Sequence, residues 1–293
     1  MHISKRYVHI HSLFRDNMND DPENFVYTFP FHIENVVNLR LHSIEMTPSW
    51  NLLSDTTDIN HYNKGFTLWQ TTDDSETQSS GSGTNIIFDK IVERTHDVRD
   101  VLTEILNYNG GEDFGSGSGS DLSFDLIGSG KTQRIRITNN STANHENIVF
   151  NLENHCLNRA KSLGWALGFR EMAYQIPQGG SIISEAPVMD KSNTFFYFCL
   201  HDFSNNEQDK HVVCLPGKAL NARVLGKVQV YGTENCEIVS SNFHSEVNSL
   251  ERLFQNRFNL QRIRVQLRDL FGELLNKNKM DYSFTLELDI INE

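Results

Sequence analysis

Cysteine is scarce in this chain of 293 residues: only Cys156, Cys199, Cys214 and Cys236 occur. The two that lie nearest in sequence, Cys199 and Cys214, are 15 residues apart, which excludes CxxC and zinc-knuckle spacings. A chain of this length can bury a core without covalent cross-links. We therefore expect four reduced thiols in an intracellular protein, and one disulfide pair is the alternative.

Long apolar runs are also absent. No stretch approaches the ~18 uncharged apolar residues of a membrane-spanning helix, so we expect no membrane span. The opening residues, MHISKRYVHIHSLFRD, contain no apolar segment of the kind found in secretory signals, so we expect no secretory signal.

Positive charge is in deficit, with 26 Lys and Arg against 38 Asp and Glu, a formal net charge of −12. Non-specific nucleic-acid binding needs clustered cations that displace counterions, and an anionic membrane surface selects for cations too. The composition therefore argues against both partners. By contrast, phenylalanine is abundant, with 19 residues, as is typical of the interior of a β-sandwich.

The dominant hydrophobic period is two, which predicts half-buried β-strands. The alternation covers residues 25–31, 39–46 (with a slip before Ile44), 262–268 and 281–290. The run 194–200 is apolar throughout and predicts a central strand covered on both faces. Shorter strands are predicted at 66–70, 85–88, 122–127, 134–138, 147–152, 212–216, 222–231 and 236–240.

Helical periodicity is rare. Residues 97–107 place apolar side chains at i, i+3, i+4 and i+7, which predicts one amphipathic helix. Two shorter helices are predicted at 153–163 and 245–254. The Ser/Gly/Asp-rich stretches 71–84 and 110–120 and the polar connector 203–211 predict loops within a β fold.

The segment GSGKT (128–132) approaches a phosphate-binding loop, but the first glycine of that motif is replaced by Asp125. A phosphate loop also opens a helix, whereas QRIRIT follows here with strand alternation. We therefore predict a hairpin in which strand 122–127 returns through GSGK into strand 133–138.

Metal and calcium sites find little support in the spacing of possible ligands. His9 and His11 share one strand face and, with Asp16 or Glu23, suggest a cupin-like metal site, but no second histidine motif follows. A solvated or subunit-contact strand is the favoured interpretation. The acidic clusters Asp20–Glu23, Asp55/Asp58 and Asp73–Glu76 lack the spacing of a dedicated calcium loop.

Five segments follow one another in a recognisable order: FVYTFPFHIENVVNLRLHSIEMTPSWN (25–51), DVRDVLTEILN (97–107), LGWALGFR (163–170), TFFYFCLHDFSNN (194–206) and LQRIRVQLRDLFGELLNKNKMDYSFTLELDI (260–290). In this order, they resemble the penton (vertex) and minor capsid proteins of nucleocytoplasmic large DNA viruses and their virophages. The resemblance covers 25–51, 97–170 and 194–291, and its most specific pieces are LGWALGFR (163–170) and the closing unit that ends in DYSFTLELD.

The resemblance implies an all-β fold: a single jelly-roll β-sandwich with one or two short helices and inserted β elements. It implies one domain over 1–293, with an inserted or appended β subdomain around 171–245. It also implies a homopentamer at the five-fold vertices of the virion capsid, assembled in the host cytoplasm beside double-jelly-roll trimers of the major capsid protein. A minor capsid protein or a vertex fibre are further expected partners.

No catalytic, cofactor-binding or metal-binding residue follows from the resemblance, so we do not expect an enzyme. The alternative is a minor capsid protein, or a jelly-roll module that binds glycans or a receptor through Trp50 or Trp69. An enzyme that uses His9 and His11 is the least favoured hypothesis. Subunit contacts are expected near Asp20–Glu23, 50–65 and 203–211.

The two closing strands carry opposite charges on their polar faces. Arg262, Arg264 and Arg268 lie on one strand and Asp281, Glu287 and Asp289 on the other. If the strands are neighbours these charges pair across them, and otherwise they are available to another subunit.

A pentamer would be self-repelling because every copy carries a net charge of −12. Salt at physiological strength confines that repulsion to ~8 Å. We therefore predict that oligomerisation strengthens as salt rises from low to physiological strength, or when divalent cations are added, as measured by light scattering. Oligomerisation that weakens over the same salt range would contradict this prediction.

Overall fold

The chain divides into two compact units, one formed by Met1–Trp50 with Asn193–Glu293 and the other by Asn51–Ser192. We refer to them as the terminal unit and the central unit. A computed structural model describes residues 2–47, 65–71, 84–87, 122–140, 147–151, 160, 162–171, 173–188, 195–204, 212–215, 218–220, 223–229, 238–241, 247–249, 251–275 and 279–292.

Nearly all regular structure in these residues is β. The strands are β1 His2–His11, β2 Asn24–Met46, β3 Gly65–Thr71, β4 Thr84–Ile87, β5 Leu122–Ile127, β6 Arg134–Asn139, β7 Asn147–Asn151, β8 Ala173–Ile176, β9 Ser181–Ile183, β10 Phe195–His201, β11 Cys214–Leu215, β12 Lys218–Ala219, β13 Val224–Gln229, β14 Ile238–Ser241, β15 Val247–Ser249, β16 Arg252–Arg268 and β17 Ser283–Asn292. One short helix, α1 (Leu163–Ala166), and two 3₁₀ turns, Ser12–Phe14 and Gly130–Thr132, complete the described elements.

An antiparallel sheet of eight strands dominates the terminal unit. Its order is β1-β17-β2-β16-β10-β13-β15, and β14 also pairs with β2. Strand β2 is 23 residues long and pairs with β16, with β17 and, near its end, with β14. The sequence predicted two separate strands over this range, and the structure joins them into one.

Bulges allow this long strand to bend while it keeps one face in the core. Phe25, Phe29 and Ile33 are buried on one face, whereas Phe31 of the same alternation is 56% exposed, contrary to the sequence prediction. Asn35 then adopts a φ of 58°. Asparagine tolerates this left-handed conformation better than most residues. The Asn259 side-chain carbonyl accepts the Asn35 N–H at 3.2 Å, and the pairing with β16 shifts register beside it. The slip predicted before Ile44 is also confirmed, as a register shift between β2 and β17.

The bent sheet encloses one apolar cluster. Its members come from β1, β2, β10, β13, β16 and β17, and they include Phe198, which meets Phe284 edge to face at a centroid distance of 5.1 Å. The central position predicted for 194–200 is confirmed, because β10 lies between β13 and β16. Phe196 and Phe198 are fully buried, but Phe195 and Tyr197 on the opposite face are only half-buried, so the predicted cover is complete on one face.

The closing strands β16 and β17 are not neighbours in the sheet, since β2 runs between them. Their opposite charges therefore do not pair across adjacent strands, and Glu287 instead contacts Lys5 of β1 and Arg40 of β2. The strand 281–290 was also predicted to have one solvated face. This is wrong near its centre, where Thr285 and Glu287 are buried because β1 and β2 flank them.

The central unit contains two smaller antiparallel sheets, with the orders β4-β3-β7-β8 and β5-β6-β9. The predicted hairpin is confirmed: β5 pairs with β6 from Leu122↔Asn139 to Ile127↔Arg134. Residues 128–132 form its turn, in which Gly128 and Gly130 take positive φ values of 92° and 58°.

The LGWALGFR segment forms helix α1 and its C-terminal cap. The Ser162 hydroxyl accepts the Trp165 N–H at 3.1 Å and so caps the N-terminus. At the other end Gly168 has a φ of 95°, and the Phe169 N–H donates to the Gly164 carbonyl at 2.9 Å. The Arg170 guanidinium lies 4.0 Å from the Trp165 ring centre, so the last side chain of the motif packs against the tryptophan of α1.

One predicted helix is wrong. Residues 245–254 instead contribute β15 and the start of β16, and Val247 of β15 lies opposite Val228 of β13. The sheet offered an open edge with hydrogen-bond partners, which outweighed a weak helical pattern. The helix predicted at 97–107 lies outside the described residues, as does most of 153–163.

The subdomain expected around 171–245 stays a prediction. Residues 171–192 belong to the central unit, and 193–245 belong to the terminal unit. Neither Cys199 nor Cys214 forms a disulfide among the described residues, and Cys156 and Cys236 lie outside them, so the expectation of four reduced thiols stays a prediction. No described helix has the length and apolar composition needed to cross a membrane.

Gly168 provides a steric test of the α1 cap. A Cβ at this position would lie 2.1 Å from the Ala186 carbonyl oxygen, so Gly168→Ala requires the backbone to move. Gly179, with a φ of 68°, has no atom within 4 Å of the same virtual Cβ and serves as a matched control.

Gly179→Ala should lower the free energy of unfolding by ~1–2 kcal/mol, the cost of a left-handed alanine. Gly168→Ala should lower it by clearly more, because a clash is added to the same backbone cost. Urea titrations of both variants measure the difference, and equal losses would contradict the proposed role of Gly168.

Candidate functional site

The histidines that suggested a metal site make local contacts instead. The His9 Nδ1 atom lies 2.8 Å from the Thr285 hydroxyl, and the His11 Nδ1 atom accepts the Leu13 N–H at 3.1 Å. The Asp16 carboxylate accepts the N–H and the hydroxyl of Thr28, at 2.7 and 2.6 Å. Within the described ranges, no group of three or more His, Cys, Asp or Glu side chains is placed to hold a metal.

The GSGK hairpin has no phosphate-binding geometry. Asp125, which replaces the motif's first glycine, forms a salt bridge with Arg136 across β5 and β6, 3.0 Å between Oδ2 and Nη2. The turn leads into a strand, so it provides no helix N-terminus for an anion.

A buried carboxylate ties β1, β17 and β2 together. The Glu287 side chain is 4% exposed and contacts Lys5 Nζ at 2.6 Å, and it also accepts a hydrogen bond from Arg40. The Tyr7 and His42 rings meet edge to face beside it, 4.9 Å between centres, and His42 Nδ1 lies 3.4 Å from Glu287. Burial raises the pKa of Glu287, but the hydrogen bonds from Arg40 and Lys5 outweigh burial, so the pKa is lowered overall.

A second buried carboxylate organises the end of β10. The fully buried Asp202 side chain forms salt bridges of 3.0 Å with both Arg223 and Arg252. It also accepts the Ser204 N–H at 2.9 Å. Two cations and a backbone N–H compensate the burial of the charge, so the turn after β10 is held in one conformation.

Phe203 projects from this turn at the edge of a groove. Its φ is 57°, and its N–H donates to His201 Nδ1 at 3.0 Å. Burial and the nearby charge of Arg223 lower the pKa of His201, which keeps the ring neutral and able to accept this bond. The groove has a volume of about 470 Å³ and is lined by Thr28, Asp202, Phe203, Phe258, Asn259, Gln261 and Arg262.

An exposed apolar cluster follows strand β1. Leu13, Phe14 and Met18 are 43%, 68% and 57% exposed in the connection between β1 and β2. The Asp281 carboxylate accepts hydrogen bonds from Ser12 and Arg15, which brings the exposed Met280 to the same end of the strand. We call Leu13, Phe14, Met18 and Met280 the β1 tip.

Strand β1 itself is an edge of the large sheet. It pairs with β17 along its full length, from His2↔Asn292 to His11↔Ser283, and no second strand among the described residues pairs with it. Its charged side chains, Lys5 and Arg6, protect the edge against uncontrolled pairing. The β1 tip lies at the end of this edge strand.

The predicted contact regions are only partly described. Asp20–Glu23 lies in the connection between β1 and β2. The same connection carries the exposed side chains of Leu13, Phe14 and Met18. Of 203–211, residues Phe203 and Ser204 are described, and 50–64 lies outside the described residues. Trp50 lies outside them too, and for Trp69 only the backbone of β3 is described.

Sequence reasoning missed the β1 tip and the groove. The sequence did contain a pattern that indicates the β1 tip. Leu13 and Phe14 are large apolar residues in a polar segment that directly follows a strand. The groove had no such signal, because it assembles residues from β2, β16 and the turn after β10.

Comparisons with known proteins add a structural relationship. No protein-family model matches the sequence, and no curated protein matches it. The structure is similar to the crystal structure of the mavirus penton protein, with a TM-score of 0.51 and 14% sequence identity. The similarity covers 99% of this chain and 100% of that chain. The chain therefore has the fold of that penton protein, and the all-β, jelly-roll class expected from the sequence is confirmed.

The Glu287 cluster predicts a defined pH dependence of stability. Because the folded-state pKa is lowered from its ordinary value of 4.5, the contribution of Glu287 is complete above that value. It is lost as the pH falls through the lowered pKa. Glu287→Gln should lower the free energy of unfolding by roughly 1.5–3 kcal/mol at neutral pH, the range for hydrogen bonds to charged groups.

The difference between wild type and Glu287→Gln should shrink below about pH 4, as chemical denaturation at several pH values would show. Glu34→Gln, at an exposed position of β2, is the control and should leave stability unchanged at every pH. A difference between wild type and Glu287→Gln that stays constant down to pH 2 would contradict the role of the Glu287 charge.

Proposed function

We propose that this protein is a structural component of a virion: the penton protein that forms a homopentamer at the five-fold vertices of an icosahedral capsid. The observation that carries the proposal is the similarity to the mavirus penton protein, which extends over the whole of both chains and is not confined to one sheet. The sequence segments that resemble penton and minor capsid proteins support the same conclusion independently.

The geometry suits a ring of subunits. A closed ring repeats one head-to-tail contact, which joins two different surfaces of neighbouring copies. The terminal unit offers an exposed sheet edge and an exposed apolar tip at the end of β1. We propose that the β1 tip inserts into the adjacent copy. Each contact can be modest, because ring closure and the surrounding shell supply avidity.

In this role the chain is not an enzyme, and its proposed partners are further copies of itself and the trimers of the major capsid protein. A minor capsid protein or a vertex fibre would be an additional partner. We propose the virion capsid as its location, with assembly in the host cytoplasm. A minor capsid position elsewhere in the shell is the alternative, and subunit number distinguishes the two.

The mass of the assembly in solution tests the proposal. A homopentamer of the 33.6 kDa chain has a mass of about 168 kDa. We expect light scattering across a concentration series, at physiological salt, to show a species of that mass. A trimer, or a monomer at every concentration even with major capsid protein added, would contradict the penton role.

A pair of matched substitutions tests the location of the contact separately. Phe14 and Phe31 are 68% and 56% exposed, so Phe14→Ser and Phe31→Ser make the same change at surfaces of similar accessibility. Phe14→Ser should shift the pentamer towards monomer, and Phe31→Ser should not. Equal behaviour of the two variants would reject the β1 tip as the contact while leaving the subunit number unaffected.

A further inference from the structure

The guanidinium of Arg262 stacks on an aromatic ring in a position from which it could bind an anion. Its central carbon lies 4.2 Å from the centre of the Phe203 ring, an arrangement that fixes the plane of the guanidinium. No carboxylate or carbonyl among the described residues accepts a hydrogen bond from it. Five other described arginines do have carboxylate partners: Arg15, Arg40, Arg136, Arg223 and Arg252.

The backbone under Phe203 is strained in a way that places the ring. A φ of 57° is unfavourable for a bulky aromatic residue, and such strain is maintained only where surrounding contacts impose it. Here the buried Asp202, which is bound by Arg223 and Arg252, and the His201 ring on either side of the turn impose it. The fold therefore maintains an unfavourable backbone conformation at Phe203. This conformation positions the Phe203 ring, and with it the Arg262 guanidinium, at the groove.

The rest of the groove supplies both donors and acceptors. Gln261 and Asn259 contribute carboxamides, and the Thr28 hydroxyl, which donates to Asp16, still has a lone pair for a ligand. An isolated carboxylate or phosphate would require donors alone. Sugar hydroxyls both donate and accept, and the rings of Phe203 and Phe258 add apolar surface for the C–H face of a sugar.

We propose that this groove binds an acidic saccharide, with the carboxylate or sulfate of the sugar on Arg262 and its hydroxyls on Gln261, Asn259 and Thr28. The volume of about 470 Å³ accommodates one or two sugar rings. A site of this kind would allow the capsid surface to hold a host glycan. The proposal does not depend on the number of subunits.

The test measures binding of three defined probes at physiological salt by calorimetry or ligand-observed NMR. 3′-Sialyllactose carries a carboxylate, a sulfated heparin disaccharide carries sulfates, and lactose carries no charge. We expect saturable binding of at least one acidic probe and at least tenfold weaker binding of lactose. Which acidic probe binds identifies the anionic group.

Three variants assign the binding to the groove. Arg262→Gln should weaken binding of the acidic probe by about tenfold or more, because a charge-assisted hydrogen bond is lost. Phe203→Gly removes the ring but accepts the positive φ without strain, so it should weaken binding without loss of thermal stability. Arg264→Gln is the control: Arg264 is an exposed arginine two residues further along β16, bonded to Asn24 at 3.0 Å, and it does not line the groove.

Several outcomes would overturn the proposal. These are no binding of either acidic probe to the wild-type protein, equal binding of lactose, or an equal loss in Arg264→Gln, which would indicate a non-specific charge effect. Absence of sugar binding together with impaired oligomerisation of Arg262→Gln would assign the groove to a protein contact instead. A pentamer that binds no sugar would reject this inference alone and leave the penton role intact.

Discussion

Strand β2 is the constraint on which the terminal unit depends. A single strand of 23 residues pairs with β16 between Asn24 and Leu39 and with β17 between Val36 and Glu45. The pairing shifts register beside Asn35 and between Leu41 and Ser43, and these irregularities reset which side chains face inward. Without them the alternation would carry some of its apolar residues to the outer face.

The two buried carboxylates stabilise this sheet at opposite ends of the strand order. Glu287 connects β1, β17 and β2, and Asp202 connects the end of β10 to Arg223 and Arg252. Each of these two carboxylates is compensated by more than one cation, which offsets the cost of burying its charge.

The sequence predicted the local features well because alternation and turn chemistry are local properties. The central strand 194–200, the hairpin around GSGK and the slip before Ile44 all follow from neighbouring residues. The neighbours of each strand do not, and so the pairing of Glu287 with Lys5 and Arg40 required the three-dimensional order of the strands.

Because strand pairing is not a local property, the sequence also failed to predict one strand and both candidate surfaces. The helical pattern at 245–254 is a local signal that the pairing of β15 with β13 overrides. The groove brings together Thr28 and Arg262, which are far apart in the chain. It also depends on the left-handed backbone conformation of Phe203, which no sequence pattern predicts. The β1 tip could be predicted in part. The sequence shows apolar residues directly after a strand, but only the structure shows that they are exposed.

The central claim is that copies of this chain close into a five-fold ring, as expected of a capsid vertex. The most direct measurement is the rotational symmetry of the purified assembly, seen by electron microscopy as averaged end-on views of single particles. We predict averages with five-fold symmetry. Rings with three-fold or two-fold symmetry would contradict the penton role, whatever the mass of the assembly.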